Sequence, residues 1–213
     1  KKHSENFRDS LKSINKDNNF NFLKFENVHF KYKNSNNKVF EDLNFEIKEN
    51  DCIGIIGESG IGKTTLIHMF LGLINPNKGN IIINKQQKIS SLENFRGIIS
   101  YMPQDPIILD NTIEKNITFE NEEKKIDRVK YANALNQSNL NKVLNQLPEK
   151  DKTFIGENGV RLSGGQYKRI ALARTFYFGK KIIVMDEATN SLDLDSEKYI
   201  MEQVNELKNK KTI

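Results

Sequence analysis

The sequence of 213 residues contains no tryptophan, one cysteine and four prolines. A single cysteine excludes a disulfide framework and a zinc site built from several cysteines. No apolar run approaches the roughly 20 residues that a membrane-spanning helix needs, and no apolar signal-peptide core follows Lys1. These absences leave one sizeable globular domain, or a domain of two lobes, as the expected class for this stretch of chain.

Positive and negative residues are nearly balanced in number. Lys and Arg number 33 and Asp and Glu number 28, which gives a formal net charge of +5. The lysines are spread over the whole length instead of forming one basic stripe, which favours a solvated surface over nucleic-acid binding. We therefore expect no nucleic-acid partner.

Strand patterns alternate with helical patterns along the chain. Strands are predicted over 22–30, 39–47, 51–56, 79–83, 97–102 and 182–185, and helices over 64–73, 166–178, about 196–208 and much of 111–148. The apolar segment 51–56 is typical of a fully buried strand, with Cys52 as a small buried residue. This alternation predicts an α/β fold with a parallel sheet, interrupted by an inserted helical lobe at about 105–175.

A glycine-rich segment follows the predicted strand 51–56 and precedes a predicted helix. It matches the pattern G-x-x-x-x-G-K-[ST] and consists of Gly57, Glu58, Ser59, Gly60, Ile61, Gly62, Lys63 and Thr64. Glycines let backbone N–H groups turn around phosphate oxygens, and the helix N-terminus adds its dipole. Lys63 is predicted to reach the β- and γ-phosphates, Thr64 to bind Mg²⁺, and Thr65 to hold the α-phosphate.

Two carboxylates end the apolar strand 182–185. A buried strand delivers Asp186 and Glu187 to the edge of a parallel sheet where ligands bind. Asp186 is predicted to hold Mg²⁺ through water, and Glu187 to polarise the attacking water as the catalytic base.

A second phosphate-binding segment lies at the start of the predicted helix 166–178. It is the pentapeptide Leu162, Ser163, Gly164, Gly165 and Gln166. With this segment in the order found here, residues 22–213 resemble the nucleotide-binding domain of ABC transporters. The resemblance implies a P-loop NTPase (RecA-like) core with a parallel sheet, an N-terminal antiparallel β subdomain and an inserted helical subdomain. It also implies head-to-tail dimers, in which the pentapeptide of one copy contacts ATP bound to the other.

Further roles are implied by the same resemblance. Tyr32 matches the aromatic residue that stacks on adenine, and Gln104 matches the Q-loop glutamine that approaches Mg²⁺ and the attacking water. Asp193, in Ser191-Leu192-Asp193, matches the D-loop at the dimer interface. The resemblance implies ATP and Mg²⁺ as ligands. It implies that Thr64, Gln104 and Asp186 bind the metal, and that Lys63, Gln104 and Glu187 take part in catalysis.

Two segments favour the exporter branch of this family. The sequence after Gln104 and the loop 153–159, with Glu157 facing the membrane domain, resemble exporter patterns. Residues 1–20 then fit a linker from a missing transmembrane domain, and 21–213 the ATP-binding domain. The expected partners are a transmembrane domain, on the same or another polypeptide, and a second nucleotide-binding domain, identical or homologous. The expected location is the cytoplasmic face of the cell (inner) membrane.

The family's switch histidine is expected a few residues beyond Ile213, since His3, His29 and His68 do not fill its place. The chain as given is therefore expected to hydrolyse ATP poorly. Three other readings stay open: a soluble ABC ATPase of DNA repair or translation, the separate ATPase of an importer, and a nucleotide-binding module without hydrolysis. An intact Glu187 disfavours the last. The transported substrate cannot be read from these residues.

Overall fold

A computed structural model describes residues 20–33, 35–84, 87–88, 97–190 and 192–213. The predicted linker 1–20 lies, apart from Phe20, outside the described residues, as does Ser191 of the predicted D-loop. Contacts divide the chain into two compact units. The first contains the described residues up to Ile99 with 180–182 and 209–213, and the second contains 100–179 and 183–208.

Strands dominate the first part of the chain and helices the second. In chain order the elements are β1 (Phe22–Phe30), β2 (Phe40–Lys48), α1 (Lys63–Phe70), β3 (Lys78–Ile83), β4 (Gln87–Lys88), β5 (Ile99–Met102), β6 (Asn111–Thr112), α2 (Ile113–Thr118), α3 (Arg128–Gln137), α4 (Asn141–Leu144), β7 (Phe154–Ile155), α5 (Gly164–Phe178), β8 (Ile182–Met185) and α6 (Leu194–Leu207), with 3₁₀ turns at Glu123–Lys125 and Lys150–Lys152.

An antiparallel sheet of order β2-β1-β3-β4 lies in the first unit. Alternate residues of β1 are buried, so one face of the strand packs into the core. Phe25 of β1 pairs with Phe45 of β2 and with Ile81 of β3, and the two phenyl rings stack with centroids 4.3 Å apart. Apolar alternation thus sets the register of this sheet.

Helix α5 is the centre of the second unit. Ile170, Leu172 and Ala173 on this helix are almost wholly buried. Helices α2 and α3 pack against it, and α2 contributes buried Ile113 and Ile117. The predicted helical region 111–148 is therefore several short helices, and its first two residues belong to β6 instead.

Strands β5 and β8 pair in a two-stranded sheet. The N–H of Ile182 donates to the carbonyl of Ile98, and the N–H of Asp186 donates to the carbonyl of Met102. Because both bonds keep the same offset in sequence, the two strands run parallel. The pairing fixes the position at which Asp186 and Glu187 leave the sheet.

The prediction of a buried strand over 51–56 is wrong. These residues form no strand, Ile56 is 96% exposed, and Cys52 is exposed instead of buried. Asp51 and Ile53 exchange backbone hydrogen bonds with Ile213, the last residue of the sequence. Beyond Ile53 the described residues form no strand ladder with this segment, so its apolar side chains stay exposed. Among the described helices, none combines the length and apolar character required to cross a bilayer.

Candidate nucleotide site

The glycine-rich loop 57–62 leads into α1 through a left-handed turn. Gly60 has φ +80° and Gly62, the N-cap of α1, has φ +113°. A Cβ at Gly62 would lie 2.6 Å from Cγ1 of Val39, so both conformation and space require glycine there. The loop is exposed and the cap position carries no side-chain hydrogen bond. It therefore presents its backbone, with the helix N-terminus, to an incoming anion.

Lys63 is the first residue of α1, and its side chain folds back over this loop. Its ammonium donates to the carbonyl oxygens of Gly57 and Glu58, each at 2.9 Å. The positive charge is thus held over the loop. A phosphate entering the loop would meet both the ammonium and the backbone N–H groups.

Tyr32 lies beside the start of α1. Its hydroxyl and that of Thr65 are 2.9 Å apart, and its ring meets Phe30 edge-on with centroids 4.9 Å apart. Tyr32 is 46% exposed. A half-exposed aromatic ring next to the glycine-rich loop offers a surface on which a nucleobase could stack.

In the second unit, Gln104 and Glu187 are hydrogen-bonded. The Gln104 amide nitrogen donates to the Glu187 carboxylate at 2.9 Å, and the Asn190 amide nitrogen donates to the same oxygen at 2.7 Å. Asp186, directly before Glu187, is 4% exposed. Two amides thus orient one carboxylate at the end of β8, and the other carboxylate lies buried beside it.

Two features near Glu187 were missed by reasoning from the sequence. The backbone of Glu187 is left-handed, with φ +50°, a conformation that costs a non-glycine residue about 1–3 kcal/mol. Its carbonyl oxygen accepts a hydrogen bond at 2.9 Å from the ammonium of Lys168, which is only 9% exposed. Helical spacing places Lys168 on the same face as buried Leu172 and Thr175, and this periodicity was the available signal.

The pentapeptide 162–166 caps α5. The Ser163 hydroxyl accepts from the Gln166 N–H, and the Gln166 side chain accepts from the Ser163 N–H at 2.8 Å, which together form a capping box. Ser163 and Gly164 are exposed. Because the Ser163 oxygen accepts within the cap, its hydroxyl proton is available to a phosphate outside.

Asp193 is the N-cap of α6 and is tied to α5. The hydroxyl and N–H of Ser196 hydrogen-bond to its carboxylate and hold its pKa below the usual range, with the Arg169 guanidinium adding to the effect. Arg169 donates to Asp193 at 3.0 Å and to the Asn139 carbonyl at 3.0 Å. An open cavity of about 490 Å³ beside them is lined by Ser163, Gly165, Gln166, Arg169, Leu192, Asp193 and neighbouring residues.

Hydrogen bonds connect the loop 153–159 to the segment that follows Gln104. Strand β7 pairs with β6, and the Asp110 carboxylate accepts from the backbone and side-chain amides of Asn158 at 3.3 and 2.9 Å. A Cβ at Gly156 would lie 2.6 Å from an Asp110 oxygen. Glu157 is exposed at the tip of this loop.

The side chains predicted to hold Mg²⁺ offer the ligand type that this ion prefers. Thr64, Gln104 and Asp186 supply a hydroxyl, an amide oxygen and a carboxylate, which are hard oxygen donors. Burial, together with the negative charge of Asp186, raises the pKa of Tyr101. Since the Gln104 nitrogen is engaged by Glu187, its amide oxygen is the atom left to face a cation. These residues fit Mg²⁺ by chemistry.

Residues 40–190 match the ABC transporter family model. The chain is 33% identical over 180 residues to the ATP-dependent lipid A-core flippase of Ralstonia nicotianae, covering 84% of this chain and 30% of that protein. It is 33% identical over 193 residues to the leukotoxin translocation ATP-binding protein LktB of Mannheimia haemolytica, covering 90% and 27%.

Among solved structures, the chain is similar to a bacterial Atm1-family ABC exporter with ATP bound. The TM-score is 0.80 at 29% identity, with 91% of this chain and 34% of the exporter chain covered. The chain spans less than a third of each of the two curated relatives, at 30% and 27% of their lengths. The match supports the predicted fold, a P-loop NTPase core with an antiparallel β subdomain and added helices.

Proposed function

The chain belongs to the ABC transporter family, and from that premise we propose that it is the ATP-binding and ATP-hydrolysing domain of an ABC exporter. The observation that carries the catalytic part is the Glu187 carboxylate, held by the amides of Gln104 and Asn190 beside buried Asp186. A carboxylate fixed at one oxygen keeps the other available to accept a proton from water.

Nucleotide binding would fall to the glycine-rich loop and its neighbours. Lys63 and the loop N–H groups would hold the β- and γ-phosphates, Thr65 the α-phosphate, and Tyr32 the adenine ring. Mg²⁺, when bound through Thr64, Gln104 and Asp186, would neutralise phosphate charge. Since phosphoryl transfer depends on positioning and charge, these contacts account for most of the expected catalysis.

The exposed pentapeptide supports a shared site. Ser163 presents its hydroxyl at the N-terminus of α5, next to the open cavity of about 490 Å³. A helix N-terminus with exposed polar groups suits the γ-phosphate of ATP bound to a second nucleotide-binding domain. We propose that two such domains, identical or homologous, pair head to tail, with Asp193 at their interface.

Export of a substrate is proposed from the named relatives. A flippase and a toxin-translocation protein both match this chain over most of its length. Dimer closure on ATP and reopening after hydrolysis would then drive a transmembrane domain by a shift in populations. Glu157 and the exposed loop around it would contact that domain at the cytoplasmic face of the membrane.

Two measurements on the complete gene product test this proposal. Phosphate release from ATP should require Mg²⁺ and should stop when a chelator is added. If the product binds ATP but releases no phosphate, it is a nucleotide-binding module without hydrolysis, and the catalytic part of the proposal fails. The product should also stay in the membrane fraction after a carbonate wash. A product that washes off would favour a soluble ABC ATPase or the separate ATPase of an importer.

A further inference from the structure

The carbonyl oxygen of Glu187 is held by two donors from different elements. The backbone N–H of Asn190 donates to it at 3.2 Å, and the ammonium of Lys168 donates at 2.9 Å. The first bond closes the turn that follows β8. The second comes from the helix that the pentapeptide 162–166 begins.

Lys168 is an unusual residue for this position on α5. It is 9% exposed and lies on the face of the helix that includes buried Ala171, Leu172 and Thr175. A buried ammonium is costly unless it is hydrogen-bonded. The bond to the carbonyl of Glu187 meets that requirement, and a charge-assisted bond is stronger than one between neutral groups.

The backbone conformation of Glu187 makes the bond important for the side chain. At φ +50°, Glu187 is in the left-handed region, which a residue with a Cβ rarely adopts. Such a conformation persists only where the surroundings fix it. If φ of Glu187 changed to relieve this strain, the carbonyl group and the side chain of Glu187 would move together, and the carboxylate would leave the amides of Gln104 and Asn190.

We propose that Lys168, on helix α5, is a positioning residue that fixes the catalytic carboxylate of Glu187 by holding the Glu187 carbonyl oxygen. This inference rests on the proposed function. Because Lys168 lies on the helix that Ser163 caps, a displacement of that helix is transmitted to Glu187 within the same chain. The position of the pentapeptide and the orientation of the base are thereby linked.

The test compares Lys168→Met, Lys168→Arg and Lys168→Gln in the complete gene product. Met fills the same space without a donor, so we expect kcat to fall about 10- to 100-fold. The KM for ATP should stay within about twofold, because the nucleotide contacts are unchanged. Arg should restore part of the loss and Gln less, while exposed Lys198→Met on α6 serves as a control that retains the wild-type kcat.

A double-mutant cycle with Glu187→Gln separates this role from a merely structural one. If Lys168 acts through Glu187, Lys168→Met should change the residual single-turnover rate of Glu187→Gln by less than about twofold. An equal loss in both backgrounds, or a wild-type kcat in Lys168→Met, contradicts the proposal. Retained binding of a fluorescent ATP analogue shows that a variant is folded. If the wild-type protein itself does not turn over ATP, the proposed function fails first, and the inference fails with it.

Discussion

The side-chain amide of Gln104 donates a hydrogen bond to the carboxylate of Glu187 across 2.9 Å, although 83 positions separate the two residues. Gln104 lies just after β5 and Glu187 just after β8, and these parallel strands bring the two side chains to the same edge of the sheet. Each side chain belongs to the segment that follows its strand, where loops of parallel sheets carry ligand sites.

Gln104→Ala removes this bond while leaving the Asn190 amide in place. We expect kcat to fall about tenfold, since a charge-assisted bond contributes about 1.5 kcal/mol or more. Steady-state ATP hydrolysis at several Mg²⁺ concentrations measures the effect. Exposed Asp105→Ala is the matched control, and equal rates for the two variants would contradict a role for Gln104.

Lys63→Ala takes away the ammonium that lies over the glycine-rich loop. We expect affinity for Mg-ATP to fall about 100-fold, since two bonds to charged phosphate oxygens are lost. Equilibrium titration with a fluorescent ATP analogue measures it. Affinity at the wild-type level would remove Lys63 from phosphate binding.

Sharing of sites between two copies can be tested by complementation. Gly164→Asp places a negative charge at the N-terminus of α5. Apart from its chain neighbours and the backbone of its own helix, no described residue has an atom within 4 Å of the added Cβ, so the fold should tolerate it. Lys63→Ala and Gly164→Asp copies should each be inactive alone. A mixed pair keeps one intact site, so a 1:1 mixture should recover up to about a quarter of wild-type turnover. No recovery, with mixed pairs verified by differential tags, would contradict head-to-tail sharing.

Glu114 on α2 carries a buried charge in the second unit. It is 2% exposed and bonds Arg128 at 2.5 Å and Lys152 at 2.8 Å. Burial opposes its ionisation, but these two cations outweigh that effect and lower the pKa of the carboxyl. Lys152 also bonds exposed Glu123.

A group whose pKa is lower in the folded state stabilises the fold above its unfolded pKa and loses that contribution as the pH falls through its folded pKa. Glu114→Gln should therefore cost about 1.5 kcal/mol of unfolding free energy at pH 7, since two charge-assisted hydrogen bonds are weakened while the cations left behind are half exposed. The wild-type protein should lose stability as the pH falls below about 4.3, where Glu114 becomes protonated, and the variant should lose less because it lacks this carboxyl group. Chemical denaturation across this range measures both effects. Exposed Glu122→Gln should reproduce the wild-type curve, and a Glu114→Gln curve that did so too would contradict this account.

The elements predicted most closely were those with strong periodicity. Strand β1 has the predicted bounds, because alternate apolar residues and a following Asn-rich turn leave little choice. The prediction of a buried strand over 51–56 was wrong for a different reason. An apolar sequence shows that burial would be favourable, but it does not show which other residues would pack over it. Ile56, for example, is apolar and yet 96% exposed.

The motifs predicted which residues carry the chemistry, and the roles assigned to them stay predictions. What the sequence did not predict is how those residues are held. Lys168 and Arg169 bond to backbone carbonyls of Glu187 and Asn139, and any residue at these positions would present the same acceptor. A hydrogen bond to a backbone carbonyl therefore requires no particular residue type at the accepting position, and the sequence gives no sign of it. Only the three-dimensional path of the chain brings donor and acceptor together.

The most direct test of the central claim is ATP turnover by Glu187→Gln in the complete gene product. Gln keeps the size of the side chain but cannot accept a proton from water, so we expect turnover to fall about 1,000-fold while ATP binding persists. The variant should retain unhydrolysed ATP together with a dimer, detected by gel filtration and nucleotide analysis. Turnover at the wild-type rate would remove Glu187 as the base and contradict the account.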